Sequence, residues 1–166
     1  MQLNHYNTTF TNRSFPITLV CDNISNAPNI GSLFRISDAF GVKKLILCGK
    51  NIALGRKMAK TSRATENVVN FEKQPDAEPV VNKLKQKGYC IISWEIASNS
   101  TPIHNYKFNT NKPIALVIGD ENFGISERIL KLSDAVIHIE MFGQNSSMNA
   151  VQAANIALYE ITKQMI

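Results

Sequence analysis

AVIHIEMFGQNSSMNAVQAANIALYE, residues Ala135 to Glu160, decides how the chain must fold. Val136, Ile137, Ile139 and Met141 are apolar or β-forming and Gly143 breaks the run, so the first part reads as a strand. The polar residues Gly143-Gln144-Asn145-Ser146-Ser147 follow as a loop. From Met148 or Asn149 a helix begins, because Val151, Ala154, Leu158, Ile161 and Met165 recur at spacings of three and four. In open α/β sheets ligands bind beyond the carboxyl ends of the strands, which is where this loop falls. An ordinary strand–loop–helix with an Asn or Ser cap gives the same pattern, so other stretches must decide between them.

Upstream, Ile114–Ile118 is an unbroken apolar run of the kind buried on both faces of a parallel sheet. Gly119–Ile125 is then a loop, and Ser126 caps a short helix over Glu127–Leu132. Towards the amino end, Ile17–Cys21 reads as the first strand and DNISNAPN as a turn. Asn29 is the expected cap of a helix with an Ile30, Leu33, Phe34 and Phe40 stripe, ended by Gly41. Lys44–Cys48, Val68–Phe71 and Tyr89–Trp94 are further strands, Val80, Val81 and Leu84 mark a helix, and Asn99–Asn111 is a polar loop. Strands alternating with helices predict an α/β domain with a mainly parallel sheet, over residues 17–166, preceded by a polar arm of residues 1–16.

Composition narrows the function classes. A chain of 166 residues with 44% hydrophobic and 19% charged residues is one soluble globular domain with room for a core. Its apolar runs are strand-length, too short for a membrane helix, and its polar start has no signal-peptide core. Cys21, Cys48 and Cys90 form no CxxC, which reads as free thiols in a reducing cytoplasm. The sequons at Asn7, Asn12, Asn23 and Asn99 are then chance matches. His5, His104 and His138 have no metal-ligand spacing, so no metal site is expected.

Charge placement points to a partner. Between Lys43 and Arg63 stand seven basic residues, Lys43, Lys44, Lys50, Arg56, Lys57, Lys60 and Arg63, and no acid, within a chain of formal net charge +5. A solvated face normally mixes both signs, so a one-sign patch favours a nucleic acid. The loop GDENFGIS, Gly119–Ser126, has P-loop glycine spacing but Ile125 where lysine is needed, and Asp120 and Glu121 would repel phosphate. Nor is there a GxGxxG, so triphosphates and dinucleotides are poor candidates. In Asn26–Val42, Arg35 falls opposite the apolar stripe, where it could hold a phosphate or pair with Asp38. Gly31 costs helix propensity, as if something approached the backbone there.

Together these segments resemble the SpoU (TrmH) branch of the SPOUT RNA methyltransferases. Asn29, Gly31, Arg35 and Ala39–Val42 match its first motif; Gly119, Glu121 and Gly124 its second; Ile139, Met141, Gly143, Ser147, Asn149 and Tyr159-Glu160 its third. The order and separation also fit, from about Ile17 to the carboxyl end. The resemblance implies a carboxyl-terminal trefoil knot, a homodimer with the active site at its interface, and methyl transfer from S-adenosylmethionine to a ribose 2′-hydroxyl. It implies cofactor contacts at Gly119, Gly124, Ile139, Met141, Ser147, Met148 and Asn149. Arg35 and Asn29 would orient the ribose and its phosphate, and Glu121 would anchor the second loop to the first motif. Arg56, Lys57, Lys60 and Arg63 are the expected RNA contacts. KTSRATENVV, Lys60–Val69, resembles relatives that methylate a D-loop guanosine, which makes tRNA the expected substrate. There are departures: Glu140 replaces the usual proline, Asp120 and Met148 replace serine and leucine, and Val151 replaces a small polar residue. Glu140 is expected to put a charge beside the adenosine pocket, either as a solvent-facing side chain or as one that weakens cofactor binding; the alternative function is a non-catalytic RNA-binding or assembly factor. With no separate RNA-binding domain recognisable, the domain and its arm are expected to grip the RNA themselves.

Overall fold

The structure, a computed structural model, describes residues 7–166. The start of the expected arm, residues 1–6 with His5, lies outside the described residues. The elements in order are β1 (Phe15–Asp22), α1 (Ala27–Ala39), β2 (Val42–Cys48), α2 (Arg56–Ser62), β3 (Phe71–Gln74), α3 (Ala77–Gln86), β4 (Cys90–Trp94), β5 (Thr101–Pro102), β6 (Ile114–Gly119), α4 (Glu127–Leu132), β7 (Ala135–His138) and α5 (Ala150–Met165). Seven strands form one sheet in the order β3-β2-β1-β6-β4-β7-β5, and every pairing is parallel.

The sequence pattern explains the layering. Ile114 to Ile118 are all buried, as a central strand covered on both faces requires. Alternation along β1 sends Ile17, Leu19 and Cys21 into the larger core cluster, with Phe34 of α1, Met58 of α2 and Leu158 of α5. Val20 faces the other way, with Val81 of α3 and Ile129 of α4. Each such fully buried aliphatic side chain contributes about 1.5–3 kcal/mol of transfer free energy. The α5 stripe Val151, Ala154, Leu158 and Ile161 is spent on this internal packing. Its hydrophobic seam is core.

Several boundaries differ from the expectation, each for a local reason. Asn26 caps α1, accepting from Asn29 N–H at 3.1 Å, so Asn29 sits in the first turn beside Pro28. Phe40 is the carboxyl cap of α1, half-buried and packed against the same core cluster as Ile30, Leu33 and Phe34. Gly31 packs α1 onto α2: a Cβ there would collide with Thr61 Oγ1 and the Met58 carbonyl. What approaches the Gly31 backbone is a helix. The third strand begins at Phe71, because Arg63 and Ala64 adopt left-handed φ of 56° and 69° and a 3-10 turn then carries Thr65–Asn67. Val68, expected in that strand, is 71% exposed. The loop Asn99–Asn111 contains β5, which pairs with β7, and buries Ile103 and Phe108. Finally, β7 stops at His138, short of Met141. Its neighbours β4 and β5 end at Trp94 and Pro102, so no ladder partner remains for Ile139.

Candidate functional site

Because the sheet is parallel, β1, β4, β6 and β7 all end on one side, and the loops there build the site. The loop after β6 is folded back tightly: Gly124 N–H donates to the Asp120 carbonyl at 2.8 Å, and a Cβ on Gly119 would collide with the Gly124 backbone. Asp120 Oδ1 accepts from Asn122 N–H at 2.9 Å, and Phe123 is left 90% exposed at the tip. Gly124 has φ +63°, and a Cβ on it would collide with Glu95 Oε2. Glu95, just past β4, accepts from Ile125 N–H and Ile96 N–H, both at 3.0 Å, and so ties the β6 loop to the β4 end.

Glu121 joins the three motif regions. Its Oε1 accepts from Asn29 Nδ2 at 3.0 Å, from Asn149 Nδ2 at 2.5 Å and from Ala150 N–H at 3.3 Å. Asn149 Nδ2 also reaches Asn29 Oδ1 at 3.3 Å. Asn149 is the α5 cap as well, its Oδ1 accepting from Val151 N–H at 2.9 Å. A carboxylate at a helix N-terminus is further favoured by the macrodipole. Residues separated by up to 120 positions therefore converge on one oxygen.

Beside this junction lies a cavity of about 410 Å³, within the range of small-molecule sites. Of the expected cofactor residues, Gly119, Gly124, Ile139, Met141, Ser147 and Met148 line it, and Asn149 instead occupies the junction. Ser147 is held by Asn145 Oδ1, which accepts from its N–H at 3.2 Å and its hydroxyl at 3.3 Å. Trp94, Glu95 and Ile96 also line the cavity and were missed by sequence reasoning. The signal was an acid directly after a buried strand, in SWEIAS. A smaller polar pocket of about 260 Å³ shares Asp120 and Glu121 with the cavity and is lined by Asn26, Asn29 and Asn122.

Other expected residues stand apart. Arg35 is exposed, lines neither cavity, and forms no ion pair among the described residues, with Asp38 or otherwise. Arg56, Lys57 and Lys60 lie exposed on α2, and Arg63 is its left-handed carboxyl cap. Lys44 leaves the basic set, because its ammonium pairs with Glu72 at 2.6 Å. That hydrogen bond holds the Glu72 carboxyl below its ordinary range. Glu140 does not line the cavity, though its neighbours Ile139 and Met141 do: its half-exposed carboxylate lies 3.8 Å from His104 Nε2. Near the strand ends, burial raises the Asp22 carboxyl, the nearby Asp76 adding to it. Burial likewise pushes the Cys48 thiol up to about 12. No group of three or more metal-ligating side chains comes together among the described residues.

Comparison with known proteins places this geometry in a wider set. A model of the SpoU rRNA methylase family matches residues 16–159. A Staphylococcus saprophyticus protein assigned by name to the TrmH family of tRNA/rRNA methyltransferases is 31% identical over 147 residues, covering 88% of this chain and 58% of that protein. The chain thus spans little more than half the length of that relative. Among solved structures, the A. aeolicus TrmH/SpoU tRNA modifying enzyme superposes with a TM-score of 0.82 at 27% identity, covering 92% of this chain and 77% of that one. The SpoU methyltransferase AviRb of Streptomyces viridochromogenes, in complex with AdoMet, superposes with a TM-score of 0.78 at 26% identity, covering 91% and 60%.

Proposed function

The chain belongs to the SpoU rRNA methylase family, and from that premise we propose that it transfers a methyl group from S-adenosylmethionine to a ribose 2′-hydroxyl of RNA, with tRNA as substrate and a D-loop guanosine as target. The observation that carries the reading is the Glu121 junction: Glu121 and Ala150 at the α5 N-terminus line a cavity at the strand ends, and the Glu121 carboxylate ties Asn29 and Asn149 to that wall. The cofactor reading is supported by the AdoMet complex of AviRb and by the lining. Ile118, Ile139, Met141 and Met148 offer apolar walls to an adenine, while Glu95, Asp120 and Glu121 set carboxylates where a cationic sulfonium is favoured.

The bound sulfonium would supply an activated methyl whose transfer leaves a neutral thioether. The chain's own residues do the alignment. Glu121 holds the Asn29 amide in place, and Asn29 helps orient the ribose. Arg35 takes the adjacent phosphate in its planar fork and polarises the 2′-hydroxyl. A guanidinium stays protonated, so Arg35 is not the base, and the hydroxyl proton passes to water as the oxygen takes the methyl.

A homodimer belongs to the same proposal. Arg35 lies outside the cavity of its own chain, and a second copy can bring its Arg35 to that cavity. Ile156 and Tyr159, exposed on α5, are available apolar surface for the contact. The family's trefoil knot and a cytoplasmic location complete the reading.

The test is mass spectrometry of nucleosides from tRNA treated with the protein and S-adenosylmethionine. A 2′-O-methylated nucleoside, guanosine foremost, is expected. A methylated base, or a protein that binds no S-adenosylmethionine in calorimetry, overturns the proposal.

A further inference from the structure

Away from the cofactor cavity, the sheet has a half-covered face. Helix α3 packs against β1 and β4 and shares a buried cluster with Ile46 and Cys48 of β2, while Lys44 of β2 and Glu72 of β3 stay partly exposed on this face. The result is a groove of about 370 Å³ between α3 and the outer strands. Its floor is Lys44, Ile46, Glu72 and Gln74, and Lys83 and Lys87 rise from the α3 end. The Lys44–Glu72 pair neutralises itself, and among the described residues Lys43, Lys83 and Lys87 have no acidic partner within ion-pair distance. Three lysines outside any ion pair therefore border one concave surface, Lys83 near enough to Glu72 to help hold that carboxyl down. Tyr89, half-buried against the smaller core cluster, closes it with an aromatic side chain.

Lysines at a helix carboxyl end also complement its dipole, which accounts for Lys83 and Lys85 as a pair. It does not account for Lys43, which comes from β2, or for a groove that gathers all three. A positive groove with an aromatic at its side is the arrangement that tracks a single-stranded nucleic-acid backbone while a base stacks. The α2 basic residues belong to the opposite sheet face, where Met58 packs under Phe34. Both basic surfaces flank the β2–β3 side of the sheet, with β3 at its edge.

We propose that the groove bordered by Lys43, Lys83 and Lys87 holds a single-stranded segment of the RNA substrate, a second contact distinct from α2. It rests on the reading of this chain as an RNA-acting protein. RNA engaging both surfaces would pass around the β3 edge.

The test measures binding of labelled oligouridylate and of tRNA across a salt series, for the parent and for Lys83→Ala/Lys87→Ala. Both side chains are exposed, and circular dichroism checks the fold. The double variant is expected to lose about tenfold in oligouridylate affinity. Its log–log salt slope should fall by roughly 0.7 for each phosphate contact removed. Affinity for S-adenosylmethionine should stay at the parent value, and Lys83→Arg/Lys87→Arg should restore the slope. An unchanged slope in a parent that binds RNA overturns the groove alone. A parent that binds neither RNA overturns the RNA reading itself. Competition by polyglutamate as effective as by RNA overturns RNA as the occupant.

Discussion

Glu95 stands over Gly124: its Oε2 accepts from Ile125 N–H at 3.0 Å and fills the space a Cβ on Gly124 would need. The left-handed backbone at φ +63° and the close carboxylate act together. Gly124→Ala should therefore cost about 1–3 kcal/mol from strain, with a melting temperature lower by several degrees. S-adenosylmethionine affinity should fall at least tenfold, because the displaced carboxylate and loop both line the cavity. Calorimetry on the folded variant checks this; parent-like affinity would mean the loop is not part of the binding wall.

Glu121 is exposed, so its removal should spare the fold and act on the site. In Glu121→Ala the Asn29 and Asn149 amides lose their shared acceptor, and single-turnover methyl transfer should drop about a hundredfold, the scale of a mispositioned catalytic group. Glu121→Gln keeps one acceptor oxygen and should fall between variant and parent. Equal rates for all three would remove Glu121 from the mechanism.

Arg35→Ala should keep fold and cofactor affinity while turnover on saturating RNA falls by about two powers of ten. Arg35→Lys should recover RNA binding more than turnover, since a point charge cannot reproduce a planar fork. Mixing Arg35→Ala with Gly124→Ala chains should restore part of the activity, because a mixed dimer regains one intact shared site. No recovery in mixed dimers verified by mass would place the whole site within one chain.

On α2, replacing Arg56, Lys57, Lys60 and Arg63 by alanine should flatten the salt dependence of RNA binding and leave cofactor binding intact. These four side chains are exposed and make no ion pair among the described residues, so the fold should hold. A slope identical to the parent's would make α2 a solvated face.

Asp22 carries a pH prediction. Its folded-state carboxyl is raised above the ordinary value by burial. The native state thus holds that proton more tightly than the unfolded chain, and Asp22 opposes folding once pH rises through its folded value. Asp22→Asn keeps an oxygen to accept from Asn23 Nδ2, which now donates to Asp22 at 3.1 Å. The variant should melt higher than the parent at pH 7, and the gain should vanish at pH values below the ordinary aspartate range. A gain independent of pH would trace to packing instead.

Much of this molecule is local in origin. The unbroken run Ile114–Ile118 can only be a strand covered on both faces, and Ser126 and the α5 stripe announce their helices through near-neighbour periodicity. The linked motifs around Asn29, Glu121 and Asn149 were equally legible, as residue types at fixed spacing. What only tertiary structure decided is what those residues touch. Asn29 looked like a helix cap until the fold brought Glu121 and Asn149 to its amide and left capping to Asn26. Gly31 showed that something approaches the backbone, and the fold decided that it is a second helix. Glu140 lies beside His104, and Glu95, an acid just past a buried strand, gained its part in the site from the fold, because a side chain's partner across the sheet depends on strand order and on where each ladder ends. Strand order is set by long-range packing, which leaves no periodic trace in the residues it joins.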